Sequence, residues 1–205
     1  MIEITSVHNP RVKAAVRLRD RRYREKQGQI LIDGARELLR AVEGGVKVLE
    51  VFTCQQFCDS LEGRRALAVA LEHGAQIIHV SEPVFEKLAF GQRTEGVLAV
   101  AEMPLRKLAD MQLPDNPLLA VLEGVEKPGN LGAVVRSADA AGIAAVIAAD
   151  AICDLYNPNA IRASLGAIFT VPICADTTAA VLDWLRQRGI KIVAAWVFND
   201  RPSTE

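Results

Sequence analysis

The sequence predicts an α/β protein in which two layered units follow one another along the chain. In both halves short apolar segments alternate with segments of helical composition, the pattern of strands and the helices that cover them. The stretch "PLRKLADMQLPDNP", with three prolines, interrupts the alternation once. We therefore expect a first domain over residues 1–103, a linker over 104–117 and a second domain over 118–205. The chain of 205 residues is 50% hydrophobic, enough for an ordinary core in each unit.

The first unit is expected to begin with a basic helix. Asn9 can cap it and Pro10 suits its first turn, so the helix should run from Pro10 to about Arg22. Asp33 is predicted to cap a second helix that ends at Gly44 and Gly45. Two more helices are predicted, over residues 61–73 and after Ser81. The segments expected to form strands are 29–32, 47–53, 75–80 and 96–103.

The second unit is predicted to be a parallel sheet covered on both faces. Its strand candidates are almost continuously apolar, as strands buried on two sides are. Helices are expected over residues 130–141 and 177–188, and a loop should lead into a short helix within 157–166. The segments expected to form strands are 118–125, 144–150, 170–174 and 190–198.

Positive charge is concentrated near the N-terminus, although the whole chain has a formal net charge of −1. Residues 11–26 carry eight basic side chains against Asp20 and Glu25. Such a localised field predicts a polyanionic partner, and a solvated helix face is the alternative interpretation. The basic side chains are Arg11, Lys13, Arg17, Arg19, Arg21, Arg22, Arg24 and Lys26.

Several classes of function lack a signal in the sequence. The four cysteines are widely spread without a CxxC pair, so we expect reduced thiols and no metal site. None of the three histidines accompanies a serine or cysteine nucleophile motif. No segment approaches the roughly 20 apolar residues of a membrane span, and the first residues lack the apolar core of a signal peptide. A cytoplasmic protein is the expectation.

The segment "EKPGNLGAVVRSADAAG", residues 126–142, follows a predicted strand and opens a helix. Its glycines do not match the G-x-G-x-x-G spacing of a dinucleotide site, and no Gly-Lys-Ser/Thr of a Walker A loop is present. The segment places Asn130 at a predicted N-cap and Arg136 two turns later, at a strand end where open α/β sheets bind ligands. A surface ion pair between Arg136 and Asp139 is the structural alternative. A second asparagine-arginine turn, "NPNAIRASLGAIFTVP", follows the next strand.

These two motifs resemble the signature segments of the SpoU (TrmH) family of RNA ribose 2′-O-methyltransferases, in the SPOUT superfamily with its α/β knot. "ITSVHNPRVKAAVRLRDRRYREKQGQILIDGARELLRAV" and "VFEKLAFGQRTEGVLAVAEMP" resemble the substrate-binding domain that such enzymes often carry, itself similar to a ribosomal RNA-binding protein. The resemblance covers essentially the whole chain. It implies methylation of a ribose 2′-hydroxyl, most readily in ribosomal RNA, with S-adenosylmethionine as the methyl donor.

The resemblance also implies roles for individual residues. Asn130 and Arg136 would belong to the catalytic centre, where the guanidinium would help to activate the 2′-hydroxyl and stabilise the developing alkoxide. Ser164 would support either the arginine or the RNA, and Arg162 would be a phosphate contact. In the first domain, the residues expected to bind RNA are Lys13, Arg21, Arg22 and Arg24.

In the family, the strand matching "KIVAAWVF" is followed by a Gly-Glu segment and a Ser-Leu-Asn segment that build the cofactor knot. Neither is present here, which predicts that these 205 residues are the N-terminal part of a longer enzyme. Only Ala195 and Trp196 would remain near the cofactor. We expect the chain alone neither to bind S-adenosylmethionine appreciably nor to methylate RNA, and the complete protein to be a homodimer. The competing hypothesis is an RNA-binding protein without catalysis.

Overall fold

The computed structural model describes residues 2–89 and 95–195, which form two sheets with helices packed against them. The elements of the first part are β1 (Ile2–Ile4), α1 (Pro10–Arg17), α2 (Arg21–Gln27), β2 (Gln29–Asp33), α3 (Ala35–Glu43), β3 (Val48–Thr53), α4 (Leu61–Glu72), β4 (Gln76–Val80), α5 (Glu82–Leu88) and β5 (Val97–Glu102). A single 3₁₀ turn, Leu108–Asp110, lies in the segment predicted as a linker. The elements of the second part are β6 (Leu119–Glu123), α6 (Pro128–Ala140), β7 (Ala145–Ala149), α7 (Pro158–Ala163), α8 (Ala167–Thr170), β8 (Ile173–Asp176) and α9 (Thr178–Gln187).

The first sheet has the strand order β1-β4-β3-β5-β2. Strands β1, β4 and β3 run parallel, whereas β5 lies antiparallel to both β3 and β2. Strand β2 therefore runs in the same direction as β3, and both end at the same edge of the sheet. Alternate side chains of β2 enter different cores, because successive residues of a strand point to opposite faces. Leu31 packs on one side of the sheet, and Ile30 and Ile32 pack on the other.

The second sheet has three strands in the order β6-β7-β8, all parallel, as predicted. Val146 and Ala148 of β7 face the core that includes α6 and α7. Ile147 and Ala149 face the opposite core, which includes Trp184 of α9. Both faces are thus covered, which explains why this strand is apolar at every position.

One hydrophobic core joins the two parts of the molecule. It contains Ile32 and Leu38 from the first part, and Val135, Ile161 and Phe169 from the second. Burial of this shared apolar surface stabilises a fixed arrangement of the two sheets.

The helix predicted from Pro10 to Arg22 is in fact two helices. Helix α1 ends at Arg17, and the Asp20 side chain accepts a hydrogen bond from the Arg22 amide (2.8 Å), so that it caps α2. The aspartate within the basic run thus marks a helix start, because a side-chain oxygen satisfies an amide that the new helix leaves without a partner.

Other element predictions were wrong in detail. Asp33 does not cap a helix but ends β2, and Gly34, with φ of 123°, takes the N-cap position of α3. Strand β1 was missed, because three residues are too short to show a period. No strand forms over 190–195 of the predicted strand 190–198, and residues 196–198 lie outside the described part.

Candidate active site

A cleft of about 580 Å³ opens between the start of α6 and the end of α7. Helix α6 follows β6 and α7 follows β7, and these neighbouring parallel strands end at the same edge of the sheet. This is the edge at which open α/β sheets bind ligands. The residues that line the cleft are Lys127, Gly129, Asn130, Asn159, Arg162, Ala163 and Leu165.

Asn130 lies inside the first turn of α6 and not at its N-cap as predicted. Lys127 occupies the N-cap position and Pro128 the first helical position, where its fixed φ and missing N–H suit the helix. The Asn130 side chain is exposed and lines the cleft. Lys127 lines the cleft together with Asn130 but was not predicted as a site residue. Its position directly before Pro-Gly-Asn is the feature of the sequence that could have identified it.

A glycine in the first motif allows α6 and α7 to approach each other closely. A Cβ atom on Gly132 would lie 2.4 Å from the Ala160 carbonyl oxygen and 2.7 Å from the Ala163 Cβ atom. Both distances are shorter than side chains tolerate, so residue 132 must be glycine in this arrangement. The motif glycine thus serves helix packing that shapes the cleft, and not a phosphate turn.

Arg162 reaches the cleft from α7 and contacts the first sheet. Its side chain is 26% exposed, and its guanidinium lies 4.0 Å from the Asp33 carboxylate at the end of β2. Leu165, a further residue of the cleft wall, has φ of 53°. This left-handed backbone conformation is energetically unfavourable for a residue with a branched side chain. The wall of the cleft is therefore held in place by the surrounding packing.

Ser164 is fully buried and does not line the cleft. Its hydroxyl donates a hydrogen bond to the Ile161 carbonyl oxygen (2.8 Å) and accepts one from the Ile168 amide (3.4 Å). Ser164 thus joins α7 to α8, and direct contact with RNA, one of the two roles expected for it, is not open to it in this arrangement.

Arg136 is exposed on α6 and does not line the cleft with Asn130. Six residues separate the two, so their side chains leave the helix in directions about 120° apart. The alternative pairing of Arg136 with Asp139 is not formed, since Asp139 pairs with Arg40 of α3 at 2.7 Å. Within the described residues, Arg136 has no hydrogen-bond or ion-pair partner.

The predicted RNA-binding residues separate into exposed and buried ones. Lys13, Arg21 and Arg22 are exposed on α1 and α2. Arg21 pairs with Glu25 at 2.7 Å and donates a hydrogen bond to the Ile152 carbonyl oxygen (3.1 Å). Arg22 and Lys13 are the basic side chains of this set that face solvent without such contacts among the described residues.

Arg24 does not lie on the surface, which corrects its predicted role. It is 1% exposed and forms an ion pair with Asp154, in the loop after β7. Its guanidinium also donates to the carbonyl oxygens of Leu18 (2.7 Å) and Arg19 (2.8 Å), which the break between α1 and α2 leaves available. Arg24 therefore ties the first part of the molecule to the second and cannot contact a phosphate.

A buried carboxyl group lies near the contact between Asp33 and Arg162. Burial raises the pKa of Glu37 to about 6, and the negative charges of Glu95 and Asp33 act in the same direction. Arg36 opposes this change in pKa. Glu37 therefore takes up a proton at a higher pH than an ordinary glutamate does.

The residues expected to touch a cofactor provide little of a site. Ala195 is exposed, lies outside helix and strand, and does not line the cleft at Asn130. Trp196 lies outside the described residues. The expected contact of these two residues with S-adenosylmethionine therefore rests on the resemblance and not on the described residues. Over residues 2–89 and 95–195 there is no cluster of three potential metal ligands and no helix long and apolar enough to cross a membrane.

Fold and cleft together define an α/β protein with two joined sheets, and comparisons with known proteins identify these as a substrate-binding domain and a methyltransferase domain. Residues 9–99 match the model of the MRM3-like substrate binding domain, and residues 117–205 match that of the SpoU rRNA Methylase family. A solved RNA 2′-O ribose methyltransferase shares 39% sequence identity with the chain, with a TM-score of 0.79 over 92% of this chain and 70% of that one. The chain belongs to the SpoU family, which confirms the predicted fold class and resemblance.

Two named relatives are similar over nearly all of the chain. The 23S rRNA (guanosine(2553)-2'-O)-methyltransferase RlmP of Bacillus subtilis (strain 168) is 28% identical over 205 residues, which cover 100% of this chain and 77% of that protein. The SpoU methyltransferase AviRb from Streptomyces viridochromogenes, solved with the cofactor AdoMet, is 27% identical with a TM-score of 0.75, over 89% of this chain and 69% of that one. The chain spans 59% and 37% of the length of two other curated relatives.

Proposed function

We propose that the protein transfers a methyl group from S-adenosylmethionine to a ribose 2′-hydroxyl in ribosomal RNA. The observation that carries this proposal is the cleft in which Lys127, Asn130 and Arg162 converge at the carboxyl edge of the SpoU-type sheet. Family membership, a relative that acts on rRNA and a SpoU methyltransferase solved with AdoMet support the reaction and its donor. The relatives from bacteria also support a cytoplasmic location.

The reaction forms a bond between the ribose 2′-oxygen and the methyl carbon and breaks the bond between that carbon and sulfur, which leaves as the neutral thioether S-adenosylhomocysteine, while the hydroxyl proton passes to water. The methyl donor supplies an electrophilic carbon. The protein's part is to hold the ribose so that its oxygen can attack in line and to stabilise the negative charge that develops there.

The cleft residues suit this task chemically. Lys127 and Arg162 are cations that line the same cleft as the Asn130 amide, so they can bind RNA phosphates while the amide orients a ribose hydroxyl. A planar guanidinium with several donors suits a phosphate on a bent, unpaired strand, which is the form of RNA in which single riboses are accessible. Ser164 supports Arg162 indirectly through the α7–α8 junction.

Arg136 remains our candidate for activating the 2′-hydroxyl, although it lies outside the cleft. Its guanidinium is exposed on α6 and has no partner among the residues that the structure describes. We propose a homodimer in which α6 lies near the interface, so that the face carrying Arg136 borders a site to which the second copy contributes.

The two predicted domains divide this work in our proposal. Residues 1–103 bind the RNA, with Lys13, Arg21 and Arg22 as surface contacts, and residues 118–205 belong to the methyltransferase domain. The exposed basic side chains attract phosphates in a salt-dependent manner without reading sequence.

The test is a methylation assay with the protein expressed from its complete reading frame, ribosomal RNA and labelled S-adenosylmethionine. The modified ribose is located by the resistance of its 3′ phosphodiester to alkaline hydrolysis. We expect Asn130→Ala and Arg136→Ala to reduce the rate by about 10²-fold or more, whereas Arg186→Ala, on the distant helix α9, leaves it unchanged. RNA binding without methyl transfer would refute the enzyme and support the RNA-binding protein without catalysis.

A further inference from the structure

We propose that Asp33 is a positioning residue for Arg162, so that the first domain sets the place of a phosphate-binding side chain in the cleft of the second. The inference rests on the proposed function, which assigns the phosphate contact to Arg162. It adds a residue from outside the SpoU-type sheet, and it gives the junction between the domains a part in substrate binding.

The Asp33 carboxylate lies beside the Arg162 side chain, and the two residues belong to different domains. Asp33 is the last residue of β2, where its backbone is in register with Leu98 of β5, and it is 8% exposed. Arg162 lies 4.0 Å from it on a helix of six residues and lines the cleft. A guanidinium has five N–H donors, so the ion pair with Asp33 does not by itself occupy all of them.

Two further ion pairs hold the domains on either side of this contact. Arg40 of α3 binds Asp139 of α6, and Arg24 of α2 binds Asp154 after β7. Because both pairs cross the same junction, the end of β2 has a fixed position relative to α7. The distance between Asp33 and Arg162 is therefore a property of the docked domains and not of either domain alone.

Asp33 also has an effect on RNA binding that opposes the benefit of positioning Arg162. A carboxylate beside Arg162 also reduces the positive potential of the cleft, and by itself this would weaken RNA binding. Arg19 and Glu37 also interact electrostatically with Asp33. If positioning outweighs neutralisation, removal of the Asp33 charge weakens binding, and if neutralisation dominates, removal strengthens it.

The experiment measures the affinity of the 205-residue chain for a fluorescein-labelled RNA hairpin with an unpaired loop, at several salt concentrations. The variants are Asp33→Asn, Arg162→Ala and the double variant. We expect Arg162→Ala to weaken binding about tenfold and to lower the salt slope by about one. Asp33→Asn should weaken binding at least about threefold, and should have no weakening effect when Arg162 is already absent.

Two further variants separate positioning from a general loss of structure. Asp33→Glu keeps the carboxylate and should restore affinity to within about twofold of the original chain. Arg162→Lys keeps the positive charge but lacks the planar guanidinium, so it should bind RNA more weakly. This variant tests the phosphate contact even if Asp33→Asn does not fold. The matched control is the exposed pair Asp183 and Arg186 of α9, 3.4 Å apart, whose Asn and Ala variants should bind RNA normally.

The outcomes are distinguishable. If Asp33→Asn binds RNA as tightly as the original chain or more tightly, the positioning role is wrong but the proposed function is not affected. The same holds if Asp33→Asn weakens binding equally with and without Arg162. If Arg162→Ala has no effect on RNA affinity, the phosphate contact in the proposed function fails, and the inference fails with it. Melting temperatures measured in parallel show whether a lost affinity follows from unfolding.

Discussion

Replacement of Arg24 by methionine should destabilise the protein without removing an RNA contact. The ion pair between Arg24 and Asp154 is buried, with side-chain exposures of 1% and 13%, and the guanidinium also binds two carbonyl oxygens. Removing one member of a buried ion pair costs about 3–5 kcal/mol, because the other charge remains without compensation. Since Asp154 keeps some access to water, we take the lower end of this range, about 3 kcal/mol.

A loss of about 3 kcal/mol corresponds to a fall in melting temperature of about 6–12 °C for a chain of this size. Thermal unfolding followed by circular dichroism measures this change. The control is Arg22→Met in the same helix, where the exposed side chain should cost no more than about 0.5 kcal/mol. RNA affinity, measured well below both melting temperatures, should fall for Arg22→Met and stay unchanged for Arg24→Met. An unaltered melting temperature in the Arg24 variant, or a selective loss of its RNA affinity while folded, would refute this reasoning.

Two other changes test the packing and the electrostatics of the junction. Gly132→Ala should cost about 1–3 kcal/mol in thermal unfolding, because its Cβ atom would meet the Ala160 carbonyl oxygen. Gly129→Ala, whose Cβ atom meets nothing within 4 Å, is the control and should be neutral or slightly stabilising; equal effects at both positions would contradict the predicted contact. In the folded protein the pKa of Glu37 is about 6, whereas the ordinary value is 4.5. Above pH 6 the ionised side chain therefore lowers the free energy of unfolding by about 2 kcal/mol, and this cost disappears as the pH falls toward 4.5. Glu37→Gln should therefore be more stable than the original chain at pH 7 and lose this advantage near pH 4.5, and identical pH profiles of the two proteins would disprove the assignment.

Most of the fold could be predicted from local signals. The helix from Thr178 to Gln187 and the strands of the second sheet were predicted within a few residues, because apolar runs and capping residues act on their immediate neighbours. Errors arose where two local signals compete. Asp20 lies inside a run of helix-forming basic residues, yet its capping bond to the Arg22 amide starts a new helix.

The candidate site was predicted only in part. The motif around Asn130 and the helix with Arg162 were identified, and the structure brings these two side chains to one cleft. Lys127 and Asn159, which line the same cleft, were overlooked. Arg136 was grouped with Asn130 because they share a motif, but a helix turns them in different directions.

By itself the sequence determined the order of the elements, the basic character of the first helices and the membership of the SpoU family. These properties reside in runs of neighbouring residues, where period, capping and motif spacing can be read directly. Only the tertiary structure decided which charged side chains are available. Arg24 and Asp154 are 130 residues apart in the chain, and Arg40 and Asp139 are 99 apart, yet each pair is in contact. Because charge pairing depends on distance in space and on burial, an arginine that looks like part of an RNA-binding surface can be a buried connection between domains.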